Sequence, residues 1–326
     1  MGRLTLLFAV ACALGGAIAA CGSSQESLDS PSQAPGAKQA KLDRELHRLQ
    51  RKLNHKRAML RAERKRKAHS SPSTAASKPF KFAVLEAQLD GQVGVSIGPP
   101  GSDRVFTAGK LVSGPAWSTI KVPIALRVLQ DAGGPSGLNP AQADDIQRAL
   151  TLSDNDAAAA LFGGLERAHG GMGGAATAVE AILRQAGDSA TQISTRGRAG
   201  FSPYGQTEWS LAVQQRFMSQ LVAGCVGTQA SRDYVLNLMG QVTSDQWGLG
   251  SAGLAAKWKG GWGPGPDGRY LVRQMGTLHI GDREAVVTLA AIPADGSFTT
   301  SQRLATSVAQ WLGTQAMHAA ATPVGC

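Results

Sequence analysis

Residues 80–326 of this 326-residue sequence predict an α+β domain in which the first and last segments share one sheet. Two observations predict this class. Both ends of the region carry apolar residues with the alternation typical of strands, whereas the middle repeats apolar residues at helical spacing. An order of two strands, a helical insert, three strands and a final helix is an α+β arrangement.

The predicted elements follow one another in a simple order. The domain opens with strands at 92–97 and 104–108, joined by a Gly-Pro-Pro-Gly turn. Helical patterns then cover 121–130, 139–150, 155–168, 175–185, 207–222 and 232–241. Strands return at 255–261, 270–280 and 284–292, and an amphipathic helix over 299–313 completes the domain.

The first 20 residues predict a secretory signal peptide. Arg3 supplies a positive charge, and the apolar run over 4–14 is too short to span a bilayer. The end of this segment, Ala19-Ala20-Cys21, resembles the bacterial lipobox, which implies lipidation of Cys21 and an extracytoplasmic protein anchored to the cell membrane. The alternative is cleavage after Ala19, with Cys21 incidental.

The positive charge of the chain is concentrated in one segment. Residues 21–37 are rich in Ser, Gln, Pro and Gly and predict a flexible tether, 38–69 predict a basic helical stalk, and 70–79 predict a linker. Residues 38–67 hold thirteen Lys or Arg and three acids, so their net charge of +10 equals that of the whole chain. The remaining residues are formally neutral, which argues against a general nucleic-acid binder. The stalk is either an electrostatic contact for anionic head groups and cell-wall polymers or a soluble spacer.

The cysteines predict a disulfide in the exported protein. Cys12 leaves with the signal peptide and Cys21 would be acylated, which leaves Cys225 and Cys326 as a plausible pair. Two separate thiols are the alternative. The histidines and the remaining cysteines do not cluster at metal-ligand spacing, so no metal site is predicted.

Three short motifs carry the chemistry. Ser118 and Lys121 form a Ser-x-x-Lys pair at a predicted helix start, where the spacing puts hydroxyl and amine on one face. A buried Lys with a lowered pKa can accept the Ser proton, and free N–H groups at the helix start can hold an oxyanion. Ser153-Asp154-Asn155 lies between two helical patterns, and Lys259-Gly260-Gly261 lies on a predicted strand.

In order and approximate spacing, this set resembles class A β-lactamases and penicillin-binding proteins, which share Ser-x-x-Lys, Ser-Asp-Asn and Lys-Thr-Gly. The resemblance implies a β-lactamase/transpeptidase-like fold, with an antiparallel sheet flanked by terminal helices and an all-helical insert. It also implies that the reaction proceeds without a metal or an organic cofactor.

The resemblance also implies a role for each matching residue. Ser118 would be the nucleophile, Lys121 its proton acceptor, and Ser153 the proton relay to the departing nitrogen. Asn155 would bind the substrate amide and steady Lys121, whereas Asp154 would be structural. Lys259 would supply positive potential, and Gly261 and Trp262 would border the substrate, with the N–H groups of Ser118 and Trp262 as the oxyanion hole.

Two departures from the family pattern qualify this resemblance. Gly260 stands where the family has Thr or Ser, so a hydroxyl that helps grip the substrate carboxylate is missing. No Glu-x-x-x-Asn, the water-activating motif of class A β-lactamases, occurs between Asn155 and Lys259. Glu208 instead predicts a helix start with a capping role. Slow hydrolysis of an acyl-enzyme is therefore expected.

Four further residues near the last motif have two interpretations each. Trp258 and Trp262 predict either cleft walls or, more commonly, packing against the helical insert. Arg269 and Arg273 predict either substitute carboxylate anchors or surface ion pairs.

The leading hypothesis is an exported serine hydrolase that forms an acyl-enzyme on Ser118 with a β-lactam or a D-alanyl peptide amide. The membrane would be a partner through the lipid anchor and the stalk. The alternative is a cell-wall or complex-binding lipoprotein that keeps the fold without useful catalysis. A third possibility is a β-lactamase whose water-activating group comes from elsewhere in the chain.

Overall fold

The computed structural model describes residues 81–102 and 104–321, together with Glu45, Arg48, Leu49, Lys52 and Lys56. The chain divides into two units, residues 1–77 and 78–326. The five described residues of the first unit are helical and exposed, and they fall in the segment predicted to be the stalk. The predicted signal peptide, tether and linker lie outside the described residues, as do Cys21 and Cys326.

The second unit is built on a five-stranded antiparallel sheet. Its strands are β1 (Gly91–Gly98), β2 (Phe106–Gly109), β3 (Ala256–Pro264), β4 (Tyr270–Ile280) and β5 (Arg283–Pro293). They lie in the order β2-β1-β5-β4-β3, and all neighbouring pairs are antiparallel. The first and last parts of the domain therefore share one sheet, as predicted.

Eight α-helices occur among residues 81–321. They are α1 (Phe82–Glu86), α2 (Lys121–Asp131), α3 (Pro140–Thr151), α4 (Asn155–His169), α5 (Met172–Gln185), α6 (Leu211–Ala223), α7 (Gln229–Met239) and α8 (Phe298–Ala319). Helices α2–α7 lie between β2 and β3 in the chain and form the helical insert. Short 3-10 helices occur at Trp117–Ile120, Pro135–Gly137, Tyr204–Gln206 and Gly248–Ser251.

Two hydrophobic cores meet at the sheet. One lies between the sheet and α8, and its buried members include Val93, Val95, Val272, Leu289, Leu304 and Val308. The other fills the insert around α2, and includes Ile124, Leu129, Phe162, Ile182 and Phe217. Helix α6 joins the insert to the sheet, because Thr288 Oγ1 donates to the Leu211 carbonyl over 2.9 Å. The motif-bearing segments thus lie where the insert contacts the sheet.

Some predicted boundaries differ from the structure. The predicted helix over 207–222 begins only at Leu211, because Ser210 is its N-cap and accepts a hydrogen bond from Val213 N. The capping role predicted for Glu208 is therefore wrong; its carboxylate accepts a hydrogen bond from Ser113 Oγ. The short helix α1 was not predicted, and α8 continues six residues beyond its predicted end. No helix of the described residues is both long and apolar enough to cross a membrane.

Candidate active site

Ser118 and Lys121 lie where a 3-10 turn runs into α2. Ser118 is the second residue of the turn Trp117–Ile120, and Lys121 is the first residue of α2. Residues three apart are aligned in a 3-10 helix, so the hydroxyl and the amine share a face. Trp117, directly before Ser118, has a φ of 47°, a left-handed conformation that is strained for a bulky side chain.

Hydrogen bonds from the insert and the sheet hold this turn. Thr119 Oγ1 donates to the Ala116 carbonyl and accepts from Gln214 Nε2 over 2.8 Å. Arg273 on β4 donates in turn to Gln214 Oε1 over 2.6 Å and to the Gly114 carbonyl over 2.7 Å. The position of Ser118 therefore depends on two elements that are distant from it in the chain, α6 and β4.

The Lys121 ammonium is buried among acceptors from the second motif. Its Nζ donates to the Ser153 carbonyl (2.6 Å), the Asp154 carbonyl (3.1 Å) and Asn155 Oδ1 (2.8 Å). Burial, reinforced by the positive charge of Lys259, lowers the pKa of Lys121 to about 7. Much of this amine is therefore neutral near pH 7, as a proton acceptor for a hydroxyl must be.

The second motif forms the start of α4. Asp154 is the N-cap, and its carboxylate accepts hydrogen bonds from Asp156 N and Ala157 N. Arg148 also donates to this carboxylate over 2.6 Å, which gives Asp154 the structural role that was expected. Ser153 has a φ of 59° and is buried, so it is the second strained residue at the site.

Lys259 reaches the second motif from β3. Its fully buried Nζ donates to Ser153 Oγ over 2.8 Å and to the Gly260 carbonyl over 2.9 Å. Burial lowers the pKa of Lys259 to about 8, although the nearby Asp245 carboxylate opposes this effect. Lys259, Ser153 and Lys121 are thereby joined in one network.

Asp245 is a member of this network that sequence reasoning missed. Its carboxylate is 1% exposed, and Oδ2 lies 3.5 Å from Lys259 Nζ. Burial raises the pKa of Asp245, and the positive charge of Lys259 opposes the shift. No motif contains Asp245, because only the packing of the segment after α7 against β3 brings it to Lys259.

The glycines of the third motif are required by close approaches. A Cβ on Gly261 would lie 2.7 Å from Ser118 N, so only glycine lets β3 pass directly beside the turn that carries Ser118. A Cβ on Gly260 would lie 2.5 Å from Asp245 Oδ2. The departure from the family pattern at 260 thus coincides with the space that Asp245 occupies.

The predicted residues open into one cleft of about 500 Å³. Ser118, Lys121, Ser153, Asn155 and Trp262 all line it. Lys259 lies behind Ser153, and Gly261 lies against the backbone of Ser118. The cleft also has aromatic walls, of which the sequence analysis predicted only Trp262. The others are Trp117, Phe201, Tyr204 and Tyr270. Because Phe201 contacts Trp117 edge-on at 5.4 Å, the segment between α5 and α6 forms one side of the cleft.

This segment brings no carboxylate to the cleft among the described residues. Its lining residues are Gly200, Phe201, Ser202, Tyr204 and Gly205, and the only acidic lining residue is Asp156 on α4. The Glu180 carboxylate, on α5, accepts from Ile193 N instead. Among the described residues, the cleft therefore has no Glu in the region where a water-activating base was sought. No group of three or more His, Cys, Asp or Glu among the described residues could hold a metal ion.

Both interpretations of Arg273 are wrong. It is fully buried, and its guanidinium donates to the carbonyls of Gly114, Pro115 and Trp209 and to Gln214 Oε1. Arg269, in contrast, forms the expected surface ion pair, with Asp267 at 2.7 Å.

The two tryptophans on β3 do not pack against the insert as their commoner interpretation predicted. Trp258 is buried in the core beneath α8 and donates from Nε1 to the Asp245 carbonyl over 3.0 Å. Trp262 stacks on Phe298 of α8, with ring centroids 5.8 Å apart, and also lines the cleft. These contacts attach the strand that carries Lys259 to α8.

Cys225 is disulfide-bonded. Because Cys326 lies outside the described residues, its pairing with Cys225 stays a prediction.

Comparison with known proteins gives structural neighbours only. No protein-family model matches the sequence, and no curated protein is significantly similar to it. The chromosome-encoded β-lactamase of Vibrio parahaemolyticus matches with a TM-score of 0.56 and 18% identity, over 71% of this chain and 95% of that one. A mutant of the class A β-lactamase of the last common ancestor of Gram-negative bacteria matches with a TM-score of 0.57 and 21% identity, over 73% and 97%. The ancestral class A β-lactamase itself matches with a TM-score of 0.52 and 21% identity, over 71% and 98%. The chain therefore has the β-lactamase/transpeptidase-like fold that its motifs imply.

Proposed function

We propose that this protein is a serine hydrolase that forms an acyl-enzyme on Ser118 with a β-lactam or a D-alanyl peptide amide. The observation that carries the proposal is the buried network of Lys121, Ser153 and Lys259 beside Ser118. An amine with a pKa of about 7 lining the same cleft as a hydroxyl is the arrangement that activates a serine nucleophile.

Acylation would begin with proton transfer from Ser118 Oγ to neutral Lys121. The oxygen attacks the amide carbonyl, and the N–H groups of Ser118 and Trp262 hold the oxyanion that forms. The C–N bond then breaks, and Ser153 Oγ gives its proton to the departing nitrogen. The Ser153 hydroxyl recovers a proton from the Lys121–Lys259 network, to which it is hydrogen-bonded through Lys259 Nζ.

Deacylation would be slow. It needs a base that activates a water molecule on the ester, and no Glu of the described residues lines the cleft for this step. Asp156 is the one acidic residue in the described part of the chain that lines the cleft, and it is the candidate for the base if the enzyme turns over rapidly. The persistence of the acyl-enzyme therefore separates a penicillin-binding protein from a β-lactamase.

The proposed location is outside the cytoplasmic membrane. The signal peptide and the Cys21 lipobox support export and lipid anchoring, and the basic segment 38–67 supports contact with anionic surfaces. A Cys225–Cys326 disulfide is part of the same proposal, since such bonds persist in oxidising compartments.

The test is the intact mass of the purified full chain after incubation with an excess of a chromogenic β-lactam, with absorbance followed in parallel. We expect a lasting adduct of one equivalent, absent from Ser118→Ala and retained by the control Ser189→Ala, which alters an exposed serine. Repeated turnover dependent on Ser118 would support the hydrolase but refute slow deacylation. An adduct or turnover that survives Ser118→Ala, or neither adduct nor turnover in the unaltered protein, would refute the proposal; the absence of both would favour the binding lipoprotein.

A further inference from the structure

We infer that this active site selects acyl donors that carry no carboxylate next to the scissile amide. The reason is that Asp245 already neutralises the positive charge of Lys259, to which such a carboxylate would otherwise bind. The inference rests on the proposed function, since it concerns the substrate of Ser118. It assigns the positive potential of Lys259 to the Asp245 carboxylate rather than to an anionic substrate.

The first argument is the pairing of Lys259. Its ammonium is fully buried, and Asp245 Oδ2 lies 3.5 Å away in the same interior. Among the groups that oppose the rise in the pKa of this carboxylate, Lys259 comes first, ahead of Lys121 and Ser244, so Lys259 is its principal compensation. A buried carboxylate depends strongly on a neighbouring positive charge. The charge of Lys259 is thus balanced inside the protein before any substrate arrives.

The second argument is the glycine next to Lys259. A hydroxyl-bearing side chain at 260 would supply a neutral donor for a carboxylate, but its Cβ would meet Asp245 Oδ2 at 2.5 Å and Cγ at 2.9 Å. These distances are too short for any real Cβ, so Asp245 in its present position excludes a side chain at 260. The same carboxylate therefore balances the cation and excludes the hydroxyl.

The third argument is that the other cations near the site are already paired. When Lys121 is protonated, its ammonium donates to the Ser153 and Asp154 carbonyls and to Asn155 Oδ1. Arg273 does not line the cleft and donates to four acceptors of the protein, and Arg269 pairs with Asp267.

Arg198 is also held by hydrogen bonds within the protein. Its guanidinium donates to the carbonyls of Pro264 and Gly265 at the end of β3, and it lies 4.9 Å from the centre of the Phe201 ring. Asp156 meanwhile adds a negative charge to the lining of the cleft. Among the described residues, every cation near the cleft therefore already has a partner within the protein. A substrate carboxylate would also meet the acidic side chain of Asp156 in the wall of the cleft.

The remaining surface of the cleft suits an uncharged group. Trp117, Phe201, Tyr204, Trp262 and Tyr270 provide aromatic area that binds apolar or ring-bearing substituents without electrostatic help. The substrate class is therefore a neutral amide or strained lactam with an aromatic or apolar substituent.

The experiment compares benzylpenicillin with its methyl ester, which differ in charge but share the reacting ring and the acyl group. The second-order rate constant for Ser118 acylation of the full chain is measured by mass for each compound. We expect the ester to react at least as fast as the acid. Asp245→Asn exposes the charge of Lys259 and should move the acid-to-ester ratio at least about tenfold towards the acid. The matched control Asp267→Asn removes an exposed carboxylate and should leave the ratio unchanged.

A second variant keeps the test valid if Asp245→Asn does not fold. Gly260→Ser in an Asp245→Ala background restores a hydroxyl in the vacated space and should also favour the acid. Faster acylation of the unaltered protein by the acid than by the ester would overturn the inference while leaving acylation of Ser118 intact. Unchanged ratios in both variants would overturn it in the same way. Absence of both a Ser118 adduct and Ser118-dependent hydrolysis with either compound would instead overturn the proposed function, and the inference with it.

Discussion

The acylation of Ser118 should rise with pH through the pKa of Lys121, because only the neutral amine accepts a proton. Burial and the charge of Lys259 lower this pKa from 10.5 to about 7. At pH 7 about half of the amine is then neutral, against roughly three molecules in ten thousand for an unperturbed lysine, a gain of about 1,500-fold. Below about pH 6 the rate should fall close to tenfold for each pH unit.

A second ionisation should limit the rate at higher pH. Lys259 has a pKa of about 8, lowered mainly by burial, and its loss of charge removes the proton donor to Ser153 Oγ. The profile should therefore rise through about 7 and fall above about 8. Because the two lysines interact, the two apparent values belong to the pair rather than to either residue alone.

The assay is single-turnover acylation between pH 5 and 10 at constant ionic strength, with circular dichroism to confirm the fold at each pH. The variant Lys259→Met removes a charge that lowers the pKa of Lys121 and leaves Asp245, which raises it. The ascending limb should therefore move to higher pH. Lys257→Gln, on the same strand, serves as the control and should leave the limb in place.

A rate that is constant from pH 6 to 8 in the unaltered protein would refute Lys121 as the proton acceptor. So would an ascending limb that stays at the same pH in Lys259→Met, because the electrostatic coupling of the two lysines would then be absent.

Three further predictions concern the framework of the site. Gly261→Ala places a Cβ 2.7 Å from Ser118 N, so β3 must shift and the acylation rate should fall at least about 100-fold in stopped-flow measurements. Arg273→Met removes four hydrogen bonds, three of them buried, and should lower the free energy of unfolding in urea by at least about 3 kcal/mol. Asp154→Ala removes the N-cap of α4 and should cost about 1 kcal/mol, measured by the same titration.

Each of these predictions has its own control. Gly268→Ala alters a glycine with no neighbour within 4 Å and should leave acylation unchanged despite its positive φ. Arg273→Lys should recover part of the lost stability, and full stability in Arg273→Met would contradict the argument from buried acceptors. Asp154→Asn keeps an oxygen for the cap and should be milder than Asp154→Ala; equal losses would assign the effect to the Arg148 ion pair instead.

Local patterns predicted much of the fold and the central residues of the site. Strand alternation and helical periodicity depend on neighbours within a few residues, so β4 was predicted at its observed bounds and most other elements within three residues. The same holds for Ser118 and Lys121, whose spacing alone aligns them on one face of a turn. Asp154 could be assigned a structural role because an N-cap is a local interaction. The predicted roles of these residues in catalysis stay predictions until the acylation experiments are made.

The electrostatic character of the site, by contrast, arises from contacts between segments distant in the chain. Asp245 reaches Lys259 only when the segment after α7 packs against β3, and nothing in its neighbourhood in the sequence indicates a buried ion pair. The burial of Arg273 could not be predicted either, because its acceptors lie 59 to 159 residues away. A pKa depends on desolvation and on charges in space rather than on neighbours in the chain. Local sequence therefore specifies which reactive groups are present, and tertiary packing decides which of their charges remain available to a substrate.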